Sequence, residues 1–375
     1  MESKAKSKKR NFRPLIFAPS ALGVFVLFVS LLTMSSTQSE AISEVKKGLN
    51  IADVKSVWDK YKADLSSDED FLFEVRTKLS SFNLSEGQVN DCRSWLPKPA
   101  TSLNLIVVPD LSSRIIDTLN NPDQIKNDTI LLNHIWKTFT QSVRTKMNSK
   151  DRLIVDVTDP DQAQGKFRMV ANNLIFDLSE HKDKSNKLFF DKVGDQFSRN
   201  IAELYSMAKA QPQGADYWSF FNQNLQRNIK QSTLFDEYRN ILILITDGYL
   251  EAQNNSKTGV AFYTGGYIQR SEAFNKLKSG ETIDQAISSS ISPILDCSQH
   301  FSNLEVLVLE VNPRTQSSKQ EPSDRGTPRD FDIMKKLWKD WFARLEIKNA
   351  GADNFVERLN ATDLVKKRIE SFINK

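Results

Sequence analysis

The fold of this chain is decided by residues 240–248, which read NILILITDG. Five consecutive apolar residues, from Ile241 to Ile245, indicate a strand that is buried on both faces, as in a parallel sheet covered by helices. The polar residues Thr246, Asp247 and Gly248 follow at once. In such sheets ligands bind outside the carboxyl ends of the strands. Asp247 is therefore a candidate site residue.

Similar short apolar runs lie on both sides of this strand and alternate with helical stretches. Strands are predicted over residues 103–108, 152–157, 169–178, 240–246, 304–311 and, weakly, 355–359, with helices over 130–147, 188–208, 217–231, 283–297, 331–345 and 364–373. This alternation predicts an α/β domain over residues 101–375, with a mostly parallel, doubly wound sheet and helices on both faces. The run 169–178 follows its predecessor too closely for a crossover helix, so we expect an antiparallel hairpin or edge strand there.

The N-terminal region has the pattern of a membrane anchor. Residues 1–13 form a basic tail, and residues 14–36 include twenty apolar residues, LIFAPSALGVFVLFVSLLTM. A helix of that length crosses a hydrocarbon core of about 30 Å. The basic flank predicts a single-pass protein with a cytoplasmic N-terminus and a periplasmic or extracellular C-terminal domain. A cleaved signal peptide is the alternative.

Between the anchor and the α/β domain, residues 37–100 have helical spacing and helix-start signals, which predict a helical stalk. The two cysteines, Cys92 and Cys297, are far apart in the sequence. A disulfide between them fits an exported protein, and two buried thiols are an equally good interpretation. The formal net charge of +4 comes from the basic tail, so the rest of the chain is close to neutral. Composition thus provides no basis for nucleic-acid binding.

Three loops carry polar residues where a sheet of this kind places its ligand site. Asp110, Ser112 and Arg114 follow the strand 103–108, Asp216 opens the helix 217–231, and Asp247 follows the strand 240–246. In this order and spacing the loops resemble those of the von Willebrand factor A family. In that family a DxSxS sequence, a loop Thr and a later Asp form a metal-ion-dependent adhesion site.

The resemblance implies a divergent adhesion-type metal site at Asp110, Ser112, Asp216 and Asp247. Asp110 matches the first Asp, Ser112 the first Ser and Asp247 the later Asp, whereas Arg114 stands in place of the second Ser and Asp216 in place of the Thr. The carboxylate and hydroxyl oxygens suit Mg²⁺ or Ca²⁺. Arginine cannot coordinate a cation. The alternative to a metal site is therefore a site without a cofactor, in which Arg114 replaces the ion and pairs with the carboxylates.

The resemblance also implies function. We expect a membrane-anchored protein-interaction module of an envelope or extracellular assembly, which binds a protein partner through the adhesion-type site. The alternative is a metal-free accessory subunit that only acts as a scaffold, and a hydrolase ranks third. An enzyme is not expected, because a serine nucleophile needs a base. A hydrolase of the SGNH type would supply this base from a histidine in a DxxH sequence near the C-terminus. None of His134, His181 and His300 lies in such a sequence.

Overall fold

A computed structural model describes residues 36–117, 123–144, 146, 150–158, 165–180, 187–212, 215–249, 275–276, 279–290, 294, 296–312, 330–348, 354–358 and 362–375. The chain divides into two compact units, Met1–Pro97 and Lys98–Lys375. The predicted anchor, residues 14–36, lies outside the described residues except for its last position. No described helix is long and apolar enough to cross a membrane.

The described part of the first unit is helical. It comprises α1 (36–47), α2 (Ile51–Leu65), α3 (Glu69–Ser80) and α4 (Glu86–Trp95). The side chains of Asn50, Asp68 and Ser85 cap α2, α3 and α4 by accepting backbone N–H groups of the first turns, which satisfies donors that would otherwise be unpaired. Trp58 stacks on Phe71 with ring centroids 5.8 Å apart. The predicted stalk therefore has a hydrophobic core of its own.

The second unit alternates strands and helices. Its strands are β1 (Thr101–Pro109), β2 (Arg152–Val155), β3 (Ile175–Asp177), β4 (Glu237–Ile245), β5 (Leu304–Val311) and β6 (Phe355–Glu357). Its helices are α5 (Gln124–Arg144), α6 (Gly165–Asn172), α7 (Lys187–Ala210), α8 (Tyr217–Ser219), α9 (Leu225–Asn228), α10 (Ile283–Ser290), α11 (Asp330–Arg344) and α12 (Asp363–Ile373). A 3₁₀ turn, Ser113–Ile115, follows β1, and a π-helical turn, Phe220–Asn224, joins α8 to α9.

The strands form one sheet in the order β3-β2-β1-β4-β5-β6, parallel except for β3, which is antiparallel to β2. Alternate residues of the central strands point to opposite faces. Ile241, Ile243 and Ile245 of β4 pack in the core that includes α5, α7 and α12, whereas Leu242 and Leu244 pack in the core that includes α11. The prediction of a mostly parallel sheet with helices on both faces is confirmed. The chain leaves β1 toward β2 and later returns to β4, so the topological switch point lies between β1 and β4.

Residues 169–178 are an edge element, as expected, but the predicted strand is wrong over its first half. Gly165–Asn172 is the helix α6, and only Ile175–Asp177 is a strand. Phe167, Val170 and Leu174 are buried at spacings of three and four residues, which is the helical period. The predicted helix 217–231 also differs, since it is interrupted by the π-helical turn and ends at Asn228.

The predicted disulfide between Cys92 and Cys297 is not supported by the structure. Cys92 and Cys297 are both free and buried. Cys92 belongs to the first unit, and Cys297 packs in the core that includes α11 in the second. Burial raises the pKa of the Cys297 thiol to about 12, so this side chain stays protonated at neutral pH.

Candidate functional site

The candidate site lies at the carboxyl ends of β1 and β4, on either side of the switch point. The two strands are paired up to Pro109 and Ile245, and the Asp110 N–H continues the ladder by donating to the Ile245 carbonyl at 2.8 Å. This fixes Asp110 beside Thr246. The Asp110 carboxylate is buried and accepts two hydrogen bonds, one from the Ser112 N–H at 2.9 Å and one from the Thr246 hydroxyl at 2.9 Å.

Arg114 is the central cation of this site and is 2% exposed. Its Nε lies 3.3 Å from Asp110 Oδ2 and donates to the Asp110 carbonyl at 3.2 Å. Its Nη2 donates to Asp128 Oδ2 at 2.7 Å and to the Ile245 carbonyl at 3.0 Å. Burial alone would lower the pKa of Arg114, but the carboxylates of Asp128 and Asp110 raise it. The guanidinium is therefore charged and linked to both central strands.

Asp128 was not among the predicted site residues, yet it is the principal partner of Arg114. It lies on α5 and is fully buried. Gln124 Nε2 donates to its Oδ1 at 2.7 Å, and the Tyr205 hydroxyl donates to its Oδ2 at 2.9 Å. A sequence signal for this residue existed. Asp128 precedes Leu131 and Leu132 by three and four positions, so it lies on the apolar face of α5, where a carboxylate needs a cationic or donor partner.

The other two predicted carboxylates have separate local roles. Asp216 caps the short helix α8, because its Oδ1 accepts the Ser219 N–H at 2.9 Å and its Oδ2 accepts the Ser219 hydroxyl at 2.7 Å. Asp247 Oδ1 accepts the Tyr249 N–H at 3.1 Å. Asp247 also contributes to the field that raises the pKa of Arg114. Arg114 pairs with Asp110 in the structure, as the metal-free alternative predicted. Its second carboxylate partner is Asp128, whereas that alternative expected Asp216.

The donor set around Asp110 does not fit a divalent cation while Arg114 is in place. Both Asp110 oxygens accept hydrogen bonds. A cation within coordination distance of Oδ2 would also lie next to a buried guanidinium, and like charges repel strongly where water is excluded. Among the residues that the structure describes, no three Asp, Glu, His or Cys side chains form a group that could hold a metal ion.

A further carboxylate, Glu310, lies near this cluster and was not predicted. It sits where the pairing of β5 with β6 shifts register, and its φ of 66° is in the left-handed region. The side chain is 1% exposed, and neither carboxylate oxygen accepts a hydrogen bond from a described residue. Arg358 Nε lies 3.7 Å from its Oε2. Burial, and next the negative charge of Asp128, raise the pKa of Glu310 to about 7, although the positive charges of Arg114 and Arg358 act to lower it.

The backbone conformation directly after Asp247 requires a glycine at position 248. Its φ is 92°, and a Cβ added there would lie 3.1 Å from Val311 Cγ1. The Gly248 carbonyl accepts the Trp338 indole N–H at 2.9 Å. The sharp turn after β4 thus brings the loop against β5 and α11, and only a residue without a side chain adopts it without strain.

We expect Gly248→Ala to lower the free energy of unfolding by about 1 to 3 kcal/mol, because alanine would be both conformationally strained and crowded by Val311. Gly194→Ala is the matched control. Gly194 lies within α7, where its added Cβ would be 3.5 Å from Trp136 Nε1 of α5, an ordinary contact, and alanine should stabilise α7 by roughly 0.5 to 1 kcal/mol. Thermal unfolding of the full chain measures both changes. Equal stability of the two variants would contradict the role given to Gly248.

Fold and site together define a class: a doubly wound α/β domain in which a buried arginine pairs with a cluster of carboxylates at the switch point. No family model matches the sequence, and no curated protein matches it. Among solved structures, an aerotolerance-related membrane protein from Bacteroides fragilis aligns at 14% identity over 73% of this chain and 98% of that chain, with a TM-score of 0.30.

Proposed function

We propose that this chain is a membrane-anchored protein-interaction module of an envelope or extracellular assembly, and that its adhesion-type site works without a metal. The anchor is the apolar run within residues 14–36, and the interaction domain is the α/β unit. Arg114 takes the place that a divalent cation has in the von Willebrand factor A family. The protein would act as a binding or scaffolding subunit rather than as an enzyme.

The burial of Arg114 between Asp110 and Asp128 carries this proposal. A cation-dependent adhesion site needs an open coordination position for a carboxylate of the partner. Here the positive charge is supplied internally, and the hydrogen bonds of Asp110 and Asp128 are made within the domain. The cluster therefore serves to hold the ends of β1 and β4 in a fixed geometry, and the exposed surface of the α/β domain is left for the partner.

The positions of the histidines support a non-enzymatic role. His134 Nε2 lies 3.1 Å from Glu370 Oε1, and His300 Nδ1 lies 3.6 Å from Glu346 Oε1. His181 is outside the described residues. The Ser112 hydroxyl instead accepts the Arg114 N–H at 3.4 Å. A serine held in this way has no described histidine beside it to act as its base.

Affinity isolation of the full chain from detergent-solubilised membranes tests the proposed function. We expect the same proteins to co-purify in the presence of Mg²⁺ and of EDTA, because the site holds its own positive charge. The matched control is a chain that ends at Pro97, where the first compact unit ends. It keeps the anchor segment and should lose the partners. Partners that disappear in EDTA would contradict the metal-free site, and identical recovery with the truncated chain would contradict an interaction role for the α/β domain.

A further inference from the structure

A polar cleft of about 360 Å³ opens at the edge of the sheet where β2 ends. Its floor is the carboxyl end of β2, from Ile154 to Val157. One wall is α6, and the other is formed by the π-helical turn and α9. π-Helical turns inside helices are rare and are common at functional sites. This cleft is separate from the carboxylate cluster of Arg114.

Each wall of the cleft presents an arginine and a side-chain amide. Arg168 and Asn172 are four residues apart on α6, which places them on one side of that helix. On the opposite wall, Arg227 follows Gln223 by four residues, and Asn224 makes no capping hydrogen bond. Both arginines are exposed. The two walls therefore offer similar chemistry to whatever lies between them.

Of the two nearby carboxylates, Asp177 pairs with other cations, whereas Asp156 adds one negative charge to the floor of the cleft. Asp177 lies 3.6 Å from Arg152 Nε and 3.7 Å from Lys230 Nζ. Asp156 lines the floor, and its two oxygens accept the Val157 N–H at 2.9 Å and the Asn228 amide at 2.7 Å. Within the described part of the chain, no carboxylate pairs with Arg168 or Arg227. The described lining thus has two guanidinium groups on its walls against one carboxylate on its floor, so its charged side chains sum to +1.

We infer that this cleft binds an acidic, extended peptide segment of a protein partner. The two guanidinium groups would pair with carboxylate side chains of the peptide, since arginine binds carboxylates through parallel hydrogen bonds. The amides of Asn172, Gln223 and Asn224 can both donate to and accept from peptide groups. Ile175, which lines the cleft and is 38% exposed, offers an apolar contact between the charges. This inference rests on the proposed interaction function and names its surface.

Fluorescence anisotropy with the full chain in detergent tests this assignment. The probe is a labelled ten-residue peptide of alternating Glu and Val, compared with the same peptide carrying Gln for Glu. We expect the Glu peptide to bind about tenfold more tightly or better at low salt and to lose affinity as salt is added, because the contacts are ionic. Arg168→Glu/Arg227→Glu should lower its affinity by about tenfold or more, because like charges are then brought together.

Lys137→Glu/Lys367→Glu is the matched control. It makes the same charge change at exposed positions of α5 and α12 that do not line the cleft. Because these positions do not line the cleft, the double change should alter the affinity for the Glu peptide by no more than about twofold. No binding of the Glu peptide, equal binding of the Gln peptide, or equal loss in both double variants would overturn the inference. Such a result would leave the proposed function standing if partners still co-purify with the full chain and not with the truncated one.

Discussion

Arg114→Met is expected to lower the free energy of unfolding by about 3 to 5 kcal/mol, which is the usual cost of removing one member of a buried ion pair. The substitution leaves Asp110 and Asp128 buried at 1% and 0% exposure with no guanidinium between them. The cost comes mainly from the uncompensated carboxylates, because methionine fills a similar volume. Thermal unfolding of the full chain should show a fall in Tm on the order of 10 °C.

A double-mutant cycle with Asp128→Asn separates this effect from a loss of packing. Asparagine keeps the shape of Asp128 and removes its charge. We expect Arg114→Met/Asp128→Asn to be more stable than the sum of the two single changes predicts, with a coupling of about 1 to 3 kcal/mol. Additive costs would show that the pair of Arg114 with Asp128 does not account for the instability.

Arg114→Ser connects the same position to metal binding, because it supplies the hydroxyl that the family pattern has there. The unmutated chain should show no shift of Tm with Mg²⁺ or Ca²⁺, whereas Arg114→Ser should be stabilised by either ion. At a hundredfold excess over Kd the gain is about 2.7 kcal/mol. Arg114→Met lacks the hydroxyl and is the control. A clear metal-induced shift in the unmutated chain would refute the replacement of the ion by Arg114.

Glu310→Gln is expected to stabilise the protein at high pH and to have little effect at low pH. The pKa of Glu310 is raised from 4.5 to about 7 in the folded chain. Between these values the folded state binds more protons than the unfolded state, so the contribution of Glu310 is fully present below about pH 4.5 and is lost as the pH rises through 7. The amide does not titrate. At pH 8 the variant should gain up to about 3 kcal/mol over the unmutated chain.

Unfolding free energies of both chains, measured from pH 5 to pH 8, test this expectation. Glu203→Gln is the control, because it makes the same chemical change at an exposed position of α7 and removes no buried carboxylate. A variant that is less stable than the unmutated chain at pH 8 would mean that attraction to Arg358 outweighs the burial of the Glu310 charge.

The sequence alone predicted the layer architecture and most of its strands. Hydrophobic period and strand length are local properties, so the runs around Ile106, Ile243 and Leu307 were recognisable without knowledge of their neighbours. The rule that sites lie at the carboxyl ends of parallel strands then indicated Asp110 and Asp247. The same local approach was wrong at residues 169–172, where a short apolar segment fits a strand and a helix about equally well until its packing is known.

Only the tertiary structure decided which charges meet. Asp128 lies fourteen residues after Arg114, and its contact with that residue depends on how α5 packs against the ends of β1 and β4. Glu310 reads as part of an ordinary strand. Only the structure places it at the register shift beside β6, buried and with no hydrogen-bond donor among the described residues. The free energy of a buried charge is set by the few groups that surround it. Those groups come from separate elements, so the residue types present in the sequence predicted a charged site, and the packing of the helices on the sheet determined its chemistry.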